Sequence, residues 1–586
     1  MIQRLKRWQA VLFAFTAVLT VTLSNCAPQT TAPTTGASPG NSPAGSTANA
    51  STLIFGAAGD PANLEPGNIE DSNSTYVQHQ IYDRLIDYKP GTTDLEPALA
   101  TEWTASEDGL TWTFKLREGV KFHDGTDFNA EAVKVNIERW WDPNNSLGFR
   151  DAGKDYAIWE GLFGGSKGNE NSILQAVNVV DDSTIEFVLK NPFAAFPAAI
   201  ASGYFGIASP DAIRKAGADY GTAGSVAVGT GPYKFVEWRT GDRIVLEKNP
   251  SYWKSGFPKT EQVVFRFIKE PSARLAELRA GSIDFTIDIA PDQLNELKSD
   301  PNLQEVRRPP FNVGYLALNT SYEPLAKKEV RQAIAMSLNR KAIVDSFWSG
   351  LATSDGFFMP PSLKQFYDAS QSDYEYNPDQ AKKMLADAGY PNGFDLELWY
   401  MPVSRPYFPT PKPIAEAFAA DLGAVGIRVK LNTKDWAAYL DDRLKSPGYQ
   451  AFMLGWTGDY GDPDNFLYYH FGPGGTKDIG DWKNPQAFKL LEDARKESDQ
   501  AKRVQMYSQV EKIALDEAVR IPVVHSEPLL AQRSNIANWQ PSPFGSESFE
   551  TVEKGSLGIE FRCFYVLYQQ TRQHPLRQLQ HSLRGQ

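Results

Sequence analysis

The chain is 586 residues long, more than one hydrophobic core ordinarily supports, so two or three domains are expected. A hydrophobic share of 41% and a charged share of 22% fit a soluble globular protein, and 14 Trp and 24 Tyr leave aromatic surface for a ligand cleft. A formal net charge of -12 argues against nucleic acid as the main partner, because phosphate contacts need a basic face.

Arg4, Lys6 and Arg7 precede an apolar run from Ala10 to Leu23 that is short for a membrane span and ends at Leu23-Ser24-Asn25-Cys26. The pattern resembles a bacterial lipoprotein signal over residues 1–26, with Cys26 lipidated, although Asn25 stands where a smaller residue is usual. An ordinary secretory signal with an incidental Cys26 is the alternative. Residues 27–50 are rich in Thr, Ser and Pro and read as a disordered tether. Cys26 and Cys563 are the only cysteines, so lipid on Cys26 leaves no intrachain disulfide and no thiolate metal cluster.

Order is expected from Ser51, with Thr52 to Phe55 as a strand and Thr75 to Leu85 as a helix. Leu110 to Leu116 alternates with period two and predicts a half-buried strand. Asn129 is placed to cap a helix through Trp140. Strands follow at Thr184 to Leu189, at the Val228 to Phe235 glycine turn, at Arg243 to Leu246 and at Val263 to Ile268. A helix over Ser272 to Ala280 then leads back to a strand at Phe285, which is α/β order. A second unit opens with a strand at Asn312 to Asn319 and helices at Val330 to Leu338 and Pro378 to Ala388. Phe394 to Tyr400 and Ile427 to Leu431 read as strands flanking a helix at Pro413 to Val425. One long helix is predicted from Asn484 through Ala518, then a short strand at Ile521 to Val524. Residues 553–586, rich in Gln, Arg and His towards the end, read as a disordered tail. No fixed-period repeat appears.

Two segments carry recognition chemistry. An apolar run at Gln450 to Leu454 feeds Gly455-Trp456-Thr457-Gly458-Asp459-Tyr460-Gly461-Asp462-Pro463-Asp464-Asn465-Phe466, an acidic and aromatic loop suited to an ammonium group. Trp399 to Tyr407 ends another predicted strand with a guanidinium, Arg405, set among aromatics. Together they suit a ligand bearing both charges, such as a peptide. In isolation, Asp459 as a turn cap and Arg405 in a surface ion pair is the plainer reading. A calcium loop fails: its twelfth position from Asp459 is His470 and from Asp462 is Pro473, neither a bidentate carboxylate. Gly164-Gly165-Ser166-Lys167-Gly168 fits a serine-hydrolase pattern, but its flanks read as loop rather than strand and helix. His123-Asp124-Gly125 reads as a turn, and the six histidines lack zinc-ligand spacing. No cofactor, metal site or enzymatic activity is expected.

Several motifs in order resemble the solute-binding proteins of ABC importers, in the family that binds peptides and nickel, and most of all bacterial dipeptide binders. They are Leu99-Ala100-Thr101-Glu102-Trp103, Asp108-Gly109-Leu110-Thr111-Trp112, Val120-Lys121-Phe122-His123-Asp124-Gly125, Gly229-Thr230-Gly231-Pro232-Tyr233-Lys234 and Asn249-Pro250-Ser251-Tyr252-Trp253. Ser404-Arg405-Pro406-Tyr407 and the acidic loop complete the set. The resemblance implies a two-lobed α/β fold of the periplasmic-binding-protein type II class. Lobe one would comprise 51–311, with an extra subdomain at about 94–209, and return at 521–552; lobe two would comprise 312–520. It implies that Asp459 receives a peptide ammonium and Arg405 its carboxylate. Trp456, Tyr407, Trp399 and Phe466 would wall the side-chain pockets. The implied partners are a peptide and the permease subunits in the membrane, with the protein a lipid-anchored monomer in the periplasm or on the outer face of the plasma membrane. A nickel chelate, haem or an oligosaccharide is the alternative ligand.

Overall fold

The computed structural model describes residues 52–555 except 70, 355, 368–372 and 546. The signal segment, Cys26, the tether, Cys563 and the tail from 556 onward lie outside the described residues.

The strands gather into three main sheets. The first has seven strands in the order Leu303–Arg307, Leu529–Arg533, Phe285–Ile289, Thr52–Ala57, Gln262–Phe267, Arg243–Lys248 and Tyr233–Arg239. Thr52–Ala57 runs parallel to both neighbours, and the outer pairs are antiparallel. The second has six: Ala352–Thr353, Arg520–Ser526, Asn312–Leu318, Ala451–Thr457, Asp395–Trp399 and Arg428–Asn432. A third, antiparallel sheet of four holds Ala100–Ala105, Thr111–Leu116, Thr184–Leu189 and Leu174–Asp181. Each sheet has an apolar core of its own, around Phe55 and Phe285, around Leu316 and Phe452, and around Phe114 and Phe187. The first two sheets are the two lobes; the third is a subdomain inserted in the first.

The chain crosses between lobes twice, at 308–311 and at 527–528. The crossings are tied together: Arg308 N donates to Pro528 O at 3.1 Å, and Asn312 Nδ2 to Ser526 O at 2.9 Å. Paired crossing segments are how two rigid lobes hinge. The sequence puts the return to lobe one at 521. Arg520–Ser526 instead stays in the six-stranded sheet, because every one of its residues is buried there, and Leu529–Arg533 makes the return. Residues 553 and 554, expected in a disordered tail, are ordered: Glu553–Lys554 pairs with Ile536–Ala537, and Lys554 Nζ meets Asp284 Oδ2 at 2.9 Å.

Side-chain capping sets several helix starts. Asn129 Oδ1 accepts from Ala132 N at 3.0 Å and starts Ala130–Trp141. The helix expected from Thr75 starts earlier, as Ser72–Ile81, because Asp71 accepts from Ser74 N. The long helix expected from Asn484 to Ala518 is two, Pro485–Lys496 and Gln500–Glu517. Glu497 turns out of helical conformation, and Asp499 opens a new cap on Lys502 N at 3.0 Å.

Candidate functional site

A cleft of about 1400 Å³ lies between the six-stranded lobe and the inserted subdomain. Asp459, Arg405, Trp456 and Tyr407 all line it.

The acidic loop gets its shape from the strand before it and the helix after it. Ala451–Thr457 pairs in register with Asn312–Leu318, and Gly458 N carries the pairing on by donating to Phe311 O. The strand therefore takes in Gly455, Trp456 and Thr457, three residues assigned to the loop from sequence. Two glycines are there for close approach. A Cβ at Gly455 would meet the Tyr407 ring at 2.3 Å, and one at Gly458 the Phe311 ring at 2.3 Å. Past the loop, helix Asp464–Phe471 places Asn465 and Tyr469 one turn apart on the cleft side. Asn465 organises the site. Its Oδ1 accepts from Asp459 N at 2.8 Å and from Trp456 Nε1 at 3.0 Å, while its Nδ2 donates to Asp459 Oδ2 at 3.3 Å. Tyr469 stacks on Trp456 at 4.4 Å.

Asp459 is half-buried, and among the described residues it has no cationic partner. Burial pushes its carboxyl up to about 6, against the Asn465 hydrogen bond that lowers it. The other two loop aspartates are neutralised. Asp462 takes both Nη atoms of Arg503 at 2.8 Å, and Asp464 takes Arg495 Nε at 3.0 Å. Those arginines engage the Asp462 and Asp464 oxygens that a calcium ion would need, and no cluster of His, Cys, Asp or Glu fit for a metal occurs among the described residues.

The loop also touches the first lobe and its subdomain. Ser202 Oγ donates to Asp459 O at 3.0 Å, Gly461 N donates to Tyr88 Oη at 2.9 Å, and the Tyr460 ring is buried in the subdomain's core. Asp459 thus sits where the halves of the protein meet.

Arg405 lies on the segment between Asp395–Trp399 and helix Pro411–Ala424. Buried Tyr407 and Phe408 pin that segment, and Arg405 N and Phe408 N exchange hydrogen bonds with each other's carbonyls at 3.1 and 2.9 Å. The exposed guanidinium donates to Ser404 O at 3.1 Å and lies 5.2 Å from the centre of the Trp436 ring. Burial pushes the Tyr407 hydroxyl up to about 12, so it enters the cleft as a neutral donor.

Two expected wall residues lie elsewhere. Phe466 is fully buried against Phe311, a quarter-turn of helix away from Asn465. Trp399 stacks on Tyr449 at 4.4 Å under Lys434, outside the cleft lining. In their place stand Trp436, Tyr469 and Asn465. The Asn465–Tyr469 spacing was visible in the sequence; Trp436 required the tertiary fold.

The serine-hydrolase pattern is preceded by a helix, Ala157–Phe163, not the loop expected, and Gly164 ends it at φ 75. The strand that a nucleophile elbow needs before its serine is not there. His123-Asp124-Gly125 is a turn in which Asp124 accepts from Thr126 N at 3.0 Å.

The description "Bacterial extracellular solute-binding proteins, family 5 Middle" belongs to the family model that matches residues 94–478. The dipeptide-binding protein of Escherichia coli is 33% identical over 520 residues, covering 86% of this chain and 95% of that one. Heme-binding protein A of Haemophilus influenzae is 34% identical over 519 residues, covering 86% and 93%. The crystal structure of a dipeptide-binding protein from Pseudoalteromonas sp. SM9913 with Met-Leu superposes with a TM-score of 0.71 at 28% identity, covering 86% of this chain and all of that one.

Proposed function

The chain belongs to the family 5 bacterial extracellular solute-binding proteins, and on that footing we propose that it captures di- or oligopeptides outside the cytoplasm and hands them to an ABC permease. One observation carries the ligand class. Of three aspartates on one loop, Asp459 lines the cleft without a cation among the described residues, while Asp464, further along the lining, and Asp462 behind it each hold an arginine. A peptide's α-ammonium supplies that cation. Arg405 lines the same cleft, and its fork takes both oxygens of the peptide carboxylate. Trp456, Tyr407 and Tyr469 give side chains flat area without demanding one shape.

Capture works through the hinge. A ligand bridging the halves favours the closed state by its extra affinity for it, and the permease reads that state. Lobe one comprises 51–311 and the return after 526, and lobe two the residues between. The protein acts as a monomer, tethered through lipid on Cys26; a Cys26→Ser variant that stays with membranes as wild type does removes the anchor.

Blocked peptides test the termini. Asp459→Ala and Arg405→Ala are each expected to cost about 2–5 kcal/mol of binding, tens- to thousands-fold in Kd. N-acetyl and C-amide dipeptides should mimic the two losses on wild-type protein in calorimetry. Equal binding of free and blocked peptides rejects terminal recognition and moves the cleft to a chelate, haem or an oligosaccharide.

A further inference from the structure

The cleft holds a second charged centre that the peptide termini leave unused. Arg443 follows helix Trp436–Asp442, Asp478 lies on the short turn Lys477–Ile479, and Arg520 opens the strand Arg520–Ser526; all three line the cleft. Arg443 Nη1 donates to Asp478 Oδ2 at 2.7 Å, and Arg520 Nη2 to Asp478 Oδ1 at 2.7 Å. One carboxylate thus serves two guanidiniums. The Arg520 and Asp478 side chains are 1% and 4% exposed, while Arg443 keeps 20% of its surface open. The Nε–H groups of both arginines are buried and find no acceptor among the described residues.

Neighbouring groups do not make up the missing charge. Burial and Arg520 hold His470 neutral, well below its usual pKa. Burial raises the Tyr315 and Tyr469 hydroxyls, so neither supplies an anion. Asp464, further along the lining, is taken by Arg495. Lys477 adds another cation at the surface. A buried centre carrying one uncompensated positive charge is costly, and an incoming carboxylate relieves it.

Its position relative to Asp459 narrows the ligand. Arg520 lies 5.3 Å from the centre of the Tyr315 ring, Tyr315 packs on His470 at 5.8 Å, and His470 packs on Trp456 at 5.2 Å. This aromatic row joins the cluster to Trp456, which shares the Asn465 amide oxygen with Asp459 N. The volume of about 1400 Å³ leaves room for that side chain beside a dipeptide backbone.

We propose that the Arg443–Asp478–Arg520 cluster is a carboxylate subsite that takes the acidic side chain of a peptide's first residue, a proposal that rests on Asp459 receiving the peptide ammonium. Arg443, the more open of the two arginines, turns its free Nη to the ligand, and Asp478 stays with Arg520.

Calorimetry on the whole protein with Glu-Ala and freshly dissolved Gln-Ala reads the subsite with no substitution, because the two peptides are isosteric and differ in charge. Glu-Ala is expected to bind at least about tenfold more tightly at low salt, with the ratio shrinking as salt rises. In Arg443→Gln the ratio is expected to fall towards one. Equal dissociation constants on wild-type protein overturn the subsite and leave terminal recognition standing. Failure of Glu-Ala, Gln-Ala and Ala-Ala alike to bind overturns both.

Discussion

The front and the back of one loop treat the same side chain in opposite ways. At the back, Asp462 and Asp464 are nearly fully buried, and each meets an arginine from the helical pair Pro485–Lys496 and Gln500–Glu517. At the front, five residues or fewer away, the Asp459 carboxylate is held among the described residues only by a neutral amide. The back is structural: buried charge is matched inside the chain, and the loop is fixed. The front leaves a charge unmatched until something arrives. Rigidity behind and a deficit ahead are what a selective site requires, since a loop free to move would find its own counter-ion.

The largest effect that breaks this contrast is expected at the back. Arg503→Ala strands Asp462 without its fork in a buried position and should destabilise the protein by about 3–5 kcal/mol. Scanning calorimetry should show a lowered transition; an unchanged one would mean the loop is not anchored there.

At the front the sign reverses. Asp459 has a folded pKa of about 6, above its ordinary value. Its contribution to stability is fully present below the ordinary carboxylate range and is lost as pH rises through 6. Asp459→Asn removes that loss while keeping the amide contact. The variant without ligand should gain about 1–3 kcal/mol at pH 7.5, partial exposure included, and nothing at pH 3.5. Thermal melts at the two pH values check this, and a variant less stable at pH 7.5 contradicts the unmatched charge.

A smaller effect sharpens the contrast in binding. Ammonium capture needs the ionised carboxylate, so peptide Kd should be flat above pH 6 and rise roughly tenfold per unit below it. Asp459→Asn should bind weakly without that slope. A wild-type profile flat from pH 7.5 to 4.5 would place the ammonium elsewhere.

Much of this was legible in the sequence, for local reasons. Strand alternation at Thr111–Leu116 and the cap at Asn129 are short-range signals, and the structure keeps both. The acidic loop announced itself by composition. What stayed hidden depends on distant partners. Arg503 and Arg495 lie on what the sequence reads as one long helix, and only the break at Glu497–Asp499 folds both towards the loop. Phe466 and Asn465 are adjacent in sequence, yet helical rotation sends one to the core and the other to the cleft. Trp399 is expected as a wall from the resemblance and its aromatic area, but Tyr449 claims its face. The cluster of Arg443, Asp478 and Arg520 joins three separate segments and leaves no local mark.

The segment 520–533 has a consequence in time. It supplies an interior strand to each large sheet: Arg520–Ser526 lies between Ala352–Thr353 and Asn312–Leu318, and Leu529–Arg533 between Leu303–Arg307 and Phe285–Ile289. Made from its N-terminus, the chain leaves both sheets with a gap beside an edge strand until residues 520–533 emerge. Neither lobe can close early, and both are completed by one stretch arriving at once. A chain bound for the outside of a membrane benefits from that delay, because a polypeptide that has not yet folded is one that can still be threaded through a pore.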